Sequence, residues 1–281
     1  MGAHASTPSS PVAGFGPGMR TARGQADVFA ELRRLIEHGD IDIVFHGLTW
    51  TFAREMSRDI QFGPIVFYDG QAFLVKKRLG AKNMGQLLGR TICVQDNSDF
   101  LVNLQRAYRE KRMVLKTVAE KTPAAAQSAF FTGRCDALTA DASALATILA
   151  ARGVDTDDYV ILPDRISKEP LAPIMRRDDD DFADVVRWTF FALVDAEELG
   201  ITAMNVDKAK VSDDPKVRAF LTEASTRAGL AAGWTAAVIA NVGNYGELYE
   251  RHLGQGTAAH LDRGPNDLWT RGGLMLTPPF H

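Results

Sequence analysis

The chain has few of the features that mark the common specialised classes. Only two of its 281 residues are cysteine, too few for a disulfide scaffold, and they form either one bridge or two buried thiols. No apolar run approaches the length of a membrane-spanning helix. The net charge of -3 gives no electrostatic footprint for a nucleic acid. The six histidines (His4, His38, His46, His252, His260, His281) have no metal-ligand spacing on any one element. Neither a Gly-rich phosphate loop nor a Ser-His-Asp arrangement stands out. These absences leave a globular protein of ordinary composition, 46% hydrophobic and 24% charged, long enough for one large domain or two lobes.

Residues 1–25 are rich in Gly, Pro, Ser and Ala, without periodicity. They read as a flexible, disordered tail that lacks the apolar core of a secretory signal. From Ala26 to His38 the apolar positions Val28, Phe29, Leu32 and Ile36 follow a helical spacing that ends at Gly39. Ile41 to Phe45 then reads as a strand running into a Gly-containing turn and a polar segment that ends at Arg54. A strand opening into a turn at its C-terminal end is where open α/β sheets bind ligands. Thr49 and Thr51 supply hydroxyls there, and Arg54 supplies a planar fork suited to a carboxylate. The same stretch also reads as an ordinary strand followed by a surface arginine.

Further along, Ile65–Tyr68 and Ala72–Val75 read as strands around Asp69-Gly70, and residues 76–89 as a basic connection with a short helix. Strands at 90–94, 114–118, 136–140 and 159–162 alternate with helices at about 100–110, 122–131 and 142–152, the signature of a parallel sheet wrapped by helices. Residues 168–175 form an extended return. Helices follow at about 181–198, 213–225, 235–240 and 245–252. The acidic run 178–181 suits a helix N-terminus. The expected architecture is α/β with two lobes. Residues 26–75 and 172–281 form a discontinuous lobe 1, and residues 76–171 form lobe 2. Two extended crossovers join the lobes and leave a cleft that can close on a ligand.

Several stretches, taken in order, resemble the solute-binding proteins of amino-acid ABC transporters. They are Thr49-Trp50-Thr51-Phe52-Ala53-Arg54, Tyr68-Asp69-Gly70-Gln71-Ala72-Phe73, Cys93-Val94-Gln95, Gly133-Arg134-Cys135-Asp136 and Ser167-Lys168-Glu169-Pro170-Leu171. Ala196-Glu197-Glu198-Leu199-Gly200-Ile201-Thr202, Val242-Gly243-Asn244-Tyr245-Gly246-Glu247 and Leu268-Trp269-Thr270-Arg271-Gly272-Gly273-Leu274-Met275 complete the set. Within that family the general L-amino-acid-binding branch is the most similar, over about residues 26–281.

The resemblance implies a type II periplasmic-binding-protein-like fold, a polar L-amino acid as ligand and ABC permease subunits as partners. It also implies a periplasmic location, a monomer, and no cofactor or metal. It gives Arg54 the ligand α-carboxylate, Gly47 and Thr49 the remaining carboxylate and ammonium hydrogen bonds, and Asp141 the α-ammonium. On the residues alone Asp141 reads as the N-cap of the following helix; the resemblance favours the ligand role. Trp50 is either an apolar wall of the site or a core residue. Cys93 and Cys135 match a cysteine pair of the branch, which implies a disulfide and an oxidising compartment.

The chain departs from the family at Asp96-Asn97-Ser98-Asp99-Phe100, where the family carries a Gly and consecutive threonines. Ser98 and Asp99 then face the ligand, with Asp99 repelling a carboxylate, meeting a cationic side chain or capping the helix. The family also begins with a signal peptide, a strand and a helix. Residues 1–25 do not match them, so the expectation is an N-terminally shortened member whose first lobe lacks its usual first strand. Two alternatives accompany this reading: a cyclohexadienyl (prephenate/arogenate) dehydratase-like enzyme on the same fold, and a degenerate copy that binds nothing.

Overall fold

The computed structural model describes residues 25–45, 47–56, 59–153, 156–222, 230–257 and 260–280. Residues 1–24 of the expected tail and His46 lie outside them, and Gln25 already belongs to the first helix. In chain order the elements are α1 (Gln25–Glu37), β1 (Ile43–Val44), α2 (Phe52–Glu55), β2 (Ile60–Phe62), β3 (Phe67–Asp69), β4 (Gln71–Lys76), β5 (Thr91–Gln95), α3 (Asp99–Glu110), β6 (Lys116–Glu120), α4 (Pro123–Phe131), β7 (Ala137–Asp141), α5 (Ala142–Arg152) and β8 (Tyr159–Ile161). They continue with β9 (Glu169–Leu171), β10 (Ile174–Arg176), α6 (Asp180–Glu198), α7 (Val206–Ala209), α8 (Pro215–Thr222), α9 (Trp234–Val242) and α10 (Tyr245–His252).

The larger sheet has the order β6-β5-β7-β4-β8. β5 runs parallel to β6 and to β7, while β4 is antiparallel to both β7 and β8. The sheet is therefore mixed rather than wholly parallel. Periodicity in the sequence carries no strand direction, which is why Ala72–Val75 read as a strand without showing that it joins this sheet antiparallel to β7 and β8. β4 also lies at the heart of this sheet although it precedes residue 76 in the chain. Its residues alternate between the two faces. Ala72 and Leu74 pack under α4 and α5 with Phe130, Leu138 and Leu145, whereas Phe73 and Val75 pack under α3 with Ile92, Leu104 and Tyr108. Both faces are covered, so the period-2 pattern of the strand is apolar on both sides.

The smaller sheet, β1-β10-β2, is antiparallel and is covered by α1 through Leu32 and Ile36, which pack on Val44, Ile60 and Ile174. The helices from α6 onward enclose their own core around Ala192, Ile201, Phe220 and Ile239. Between the sheets lies a ribbon of two antiparallel strands, β3 and β9, with Phe67 opposite Leu171, Tyr68 opposite Pro170 and Asp69 opposite Glu169. Asn266 clamps β3 from the C-terminal region, accepting from the Tyr68 N–H at 2.6 Å and donating to its carbonyl at 2.9 Å. Tyr245 adds a bond from its hydroxyl to the Val66 carbonyl at 3.0 Å.

Cys93 on β5 and Cys135 after α4 form a disulfide inside the same core. With 42 residues of separation, chain-entropy reasoning gives about 4 kcal/mol of stabilisation. The double substitution Cys93→Ala and Cys135→Ala should lower unfolding stability by about that amount, read from urea melts. A second test sits at the ribbon. A Cβ on Gly70 would lie 2.5 Å from the Ser167 carbonyl oxygen and 3.3 Å from the Arg165 Cβ. Because the nearest atom is backbone, Gly70→Ala should cost about 1–3 kcal/mol, measured as a lower urea midpoint.

Candidate functional site

The segment after β1 runs beside β9. Trp50 N–H donates to the Pro170 carbonyl at 2.8 Å, and Ala172 N–H donates to that of Leu48 at 3.2 Å. β9 is thus flanked by β3 on one edge and by residues 48–50 on the other. This places the Thr49 hydroxyl on the Glu169 carboxylate, to which it donates at 2.7 Å. Thr51 caps the short helix α2, and that helix turns Arg54 back toward the segment before it. The Arg54 guanidinium donates to the Thr49 carbonyl at 2.7 Å and stacks 5.4 Å from the centre of the Phe29 ring. Gly47 takes a positive φ of 58°, which an L side chain adopts only with strain, so the turn into this segment suits glycine. Trp50 is neither fully core nor fully free. It is 37% exposed and stacks nearly parallel on Phe62, with ring centres 5.5 Å apart.

Across the ribbon, Asp141 ends β7 where α5 begins. It stands at the N-cap position, yet its side chain makes no cap bond. Asp69 takes that work from the neighbouring crossover. Its carboxylate accepts from the Ser143 hydroxyl, from the Ser143 N–H at 3.4 Å and from the Gly70 N–H at 2.8 Å. The Ala142 N–H donates to the Gly70 carbonyl at 3.0 Å. Asp141 is left with a buried Oδ1 that has no hydrogen-bond partner among the described residues. Gln71, opposite Asp141 in the β4–β7 register, is fully buried. It donates to the Phe100 carbonyl and the Thr139 hydroxyl, while its Oε1 is also unpartnered among the described residues.

Burial pushes the Asp141 carboxyl up to about 7, and the negative charges of Asp69 and Glu169 add to that effect. Burial lowers the pKa of the Arg54 guanidinium, and the negative charges of Glu169 and Asp99 offset part of that effect. Arg54 and Asp141 therefore both lie in the field of Glu169, and Arg54 also lies in that of Asp99. The N-cap of α3 is Ser98, not Asp99. The Ser98 hydroxyl accepts from the Leu101 N–H at 3.4 Å and donates to the Gln95 carbonyl at 2.6 Å. Asp99 is the first helical residue and is exposed.

Thr49 is thus bonded to Glu169, and Arg54 and Asp141 lie within reach of its charge, with Trp50 and Gly47 on the segment beside β9 and Ser98 and Asp99 at the start of α3. Sequence reasoning missed Glu169, Asp69 and Gln71. All three stand inside the stretches that carry the resemblance, but Thr49, Ser143 and Thr139, to which Glu169, Asp69 and Gln71 are bonded, are more than 60 residues away in the chain. Chemically the arrangement offers one fixed cation beside several carboxylates, and buried acceptors that still need donors.

No family model matches the chain. Over 249 residues it is 39% identical to the general L-amino acid-binding periplasmic protein AapJ of Rhizobium johnstonii, covering 87% of this chain and 73% of that one. Over 246 residues it is 40% identical to the glutamate/glutamine/aspartate/asparagine-binding protein BztA of Rhodobacter capsulatus, covering 86% and 72%. An ABC transporter/periplasmic binding protein from Brucella ovis, solved with glutathione bound, superimposes with a TM-score of 0.74 at 37% identity, covering 90% of this chain and 81% of that one. The fold is accordingly the α/β type II periplasmic-binding-protein fold. The relatives are binding proteins, which favours the transport reading over the dehydratase-like one. The chain belongs to the family of amino-acid-binding periplasmic proteins of ABC transporters.

Proposed function

We propose that the chain is the substrate-binding component of an ABC transporter, capturing a polar L-amino acid between two lobes and delivering it to the permease subunits. The named ligands of the relatives, amino acids and the tripeptide glutathione, share an α-carboxylate beside an α-ammonium. One observation carries the reading: the Arg54 guanidinium and the Asp141 carboxyl, whose buried Oδ1 has no partner among the described residues, both lie within reach of the Glu169 charge beside the β3–β9 ribbon.

In this reading the lobes divide at the ribbon. Residues 71–75 go with the five-stranded sheet, and otherwise lobe 1 is 26–69 with 172–281. Arg54 clamps the α-carboxylate with its fork, and Asp141 takes the α-ammonium. The backbone near Gly47 and the hydroxyl of Thr49 complete the polar contacts, Trp50 gives an apolar wall, and Ser98 and Asp99 border the far side. Because the two ligand charges are satisfied by opposite lobes, closure and binding are one equilibrium. The disulfide suits an oxidising compartment, in keeping with a periplasmic location.

Thermal melts against the twenty L-amino acids test the reading. A ligand at 100 times its dissociation constant should stabilise by about 2.7 kcal/mol. That shift should vanish in Arg54→Ala and largely vanish in Arg54→Lys, since an ammonium cannot make the bidentate contact.

Asp141 adds a pH signature. Its folded-state pKa is raised from 3.8 to about 7, so the ligand-free protein holds a proton that an ammonium ligand must displace. Affinity should fall as pH drops below about 7, approaching tenfold per pH unit, read by titration calorimetry. The same raised value means this group's contribution to ligand-free stability is fully present below pH 3.8 and is lost as pH rises through 7. Asp141→Asn should abolish binding yet raise the ligand-free Tm at pH 8 by a few degrees.

A further inference from the structure

The crossover from β3 to β4 reaches into the first turn of α5. The Gly70 carbonyl accepts from the Ala142 N–H at 3.0 Å, and the Asp69 carboxylate accepts from the Ser143 N–H at 3.4 Å and from the Ser143 hydroxyl. Asp69 Oδ1 also accepts from the Gly70 N–H at 2.8 Å, so the residue closes a clasp between its own turn and the helix. The clasp is fixed in place. Asp69 is buried and pairs with Glu169 across the ribbon, and Gly70 lies too near the Ser167 carbonyl to carry a Cβ.

Elsewhere the N-cap residue serves its own helix. Ser98, Thr122, Asp179 and Asn244 accept from first-turn amides of α3, α4, α6 and α10. Asp141 is equipped to do the same for α5. It has a side chain that the position favours, and its backbone, at φ -58° and ψ 143°, is extended as an N-cap requires. Only a rotation of the side chain separates it from the amides of its own helix. Yet Asp141 makes no cap bond. Its Oδ1 is buried with no partner among the described residues, and in the β4–β7 register it stands opposite Gln71, whose Oε1 is likewise buried without one. A buried carboxyl offered an amide donor gains by taking it. Here the Ser143 amide is already held by Asp69.

Resting on the reading of Asp141 as the acceptor for the ligand α-ammonium, we infer that Asp69 is a positioning residue of the site: by holding the first-turn donors of α5 it keeps the Asp141 carboxyl off its own helix and open to the ligand. The charges that reach Asp141 are those of Asp69 on β3 and Glu169 on β9, and Arg165 in turn lies in the field of Asp69. Asp69 thus acts on Asp141 in two ways, as an acceptor that occupies Ser143 and as a negative charge. The positioning is the work of the acceptor, which asparagine retains without the charge.

Titration calorimetry on the full chain at pH 8 tests this. The probes are each of the twenty L-amino acids that raises the melting temperature, paired with its analogue lacking the α-amino group. The quantity read is the affinity ratio within a pair, because general damage to the fold weakens both members alike. Asp141→Asn sets the floor of that ratio. Asp69→Ala should lower the ratio at least about tenfold, the scale of one hydrogen bond to a charged group, and Asp69→Asn should restore it to within about threefold of the unmodified protein. A ratio that Asp69→Ala leaves unchanged overturns the inference alone. So does Asp69→Asn as impaired as Asp69→Ala, which makes the charge decisive. Where Asp69→Ala gives no cooperative melt, Ser143→Ala takes its place, since it removes the hydroxyl half of the clasp. A ratio lowered about threefold or more then supports the inference, and an unchanged one overturns it. If the unmodified protein binds L-amino acids no better than their analogues, or binds neither, the reading of Asp141 itself fails and the inference with it.

Discussion

The two sheets communicate through three residue pairs, and the register of those pairs decides what the cleft contains. In the β3–β9 ribbon Asp69 sits opposite Glu169, so two carboxylates are held together at the point where both chain crossings leave the ribbon. A slip of one residue would turn every ribbon side chain to the opposite face and send Glu169 away from Thr49. Several contacts resist such a slip: the Asn266 clamp on Tyr68, the Tyr245 hydroxyl on Val66 and the bonds from residues 48–50 along the free edge of β9. Gly70 permits the closest of the approaches, against the backbone of Ser167.

That register produces a division of labour between two aspartates one strand apart. A helix N-terminus needs an acceptor, and for α5 the nearest side chain in sequence is Asp141. The structure gives the work to Asp69 instead, which bonds the amide and hydroxyl of Ser143. Asp141 is thereby left reluctant to ionise, with a buried Oδ1 that has no hydrogen-bond partner among the described residues. Such a group costs stability in the ligand-free protein, and its cost is relieved only by an incoming donor. Strain of this kind persists where the surrounding structure over-determines a position. Here the surroundings are a sheet strand covered on both faces and tied by a disulfide.

The sequence revealed the regular elements well and the tertiary placements poorly. α5 and α10 occupy the spans expected of them, α10 because eight residues with one apolar face are a clear local signal, and α5 because it is a run of strong helix formers, mostly Ala and Leu, ended by Gly153. β2 and α2, of three and four residues, are too short to carry a period and were not recognised. The direction of β4 is set by where the chain re-enters the sheet, which no residue pattern encodes. Arg54, Thr49 and Asp141 were legible through the family resemblance. Glu169, which accepts from the Thr49 hydroxyl, was not, since that contact depends on a partner 120 residues earlier. The competing cap assignment for Asp141 failed for a tertiary reason as well, the arrival of Asp69 from another strand.

The mixed larger sheet is built from one continuous span of chain, β4 through β8, whereas the smaller sheet needs β10 to return and insert between β1 and β2. Loop-closure entropy favours pairings between segments close in the chain. The five-stranded unit therefore closes the shorter loops. The ribbon and the smaller sheet close the longest ones, since β1, β2 and β3 all pair with strands that lie 100 residues or more further along the chain. The segments that border Glu169 are held by the pairings that are entropically the most costly to make.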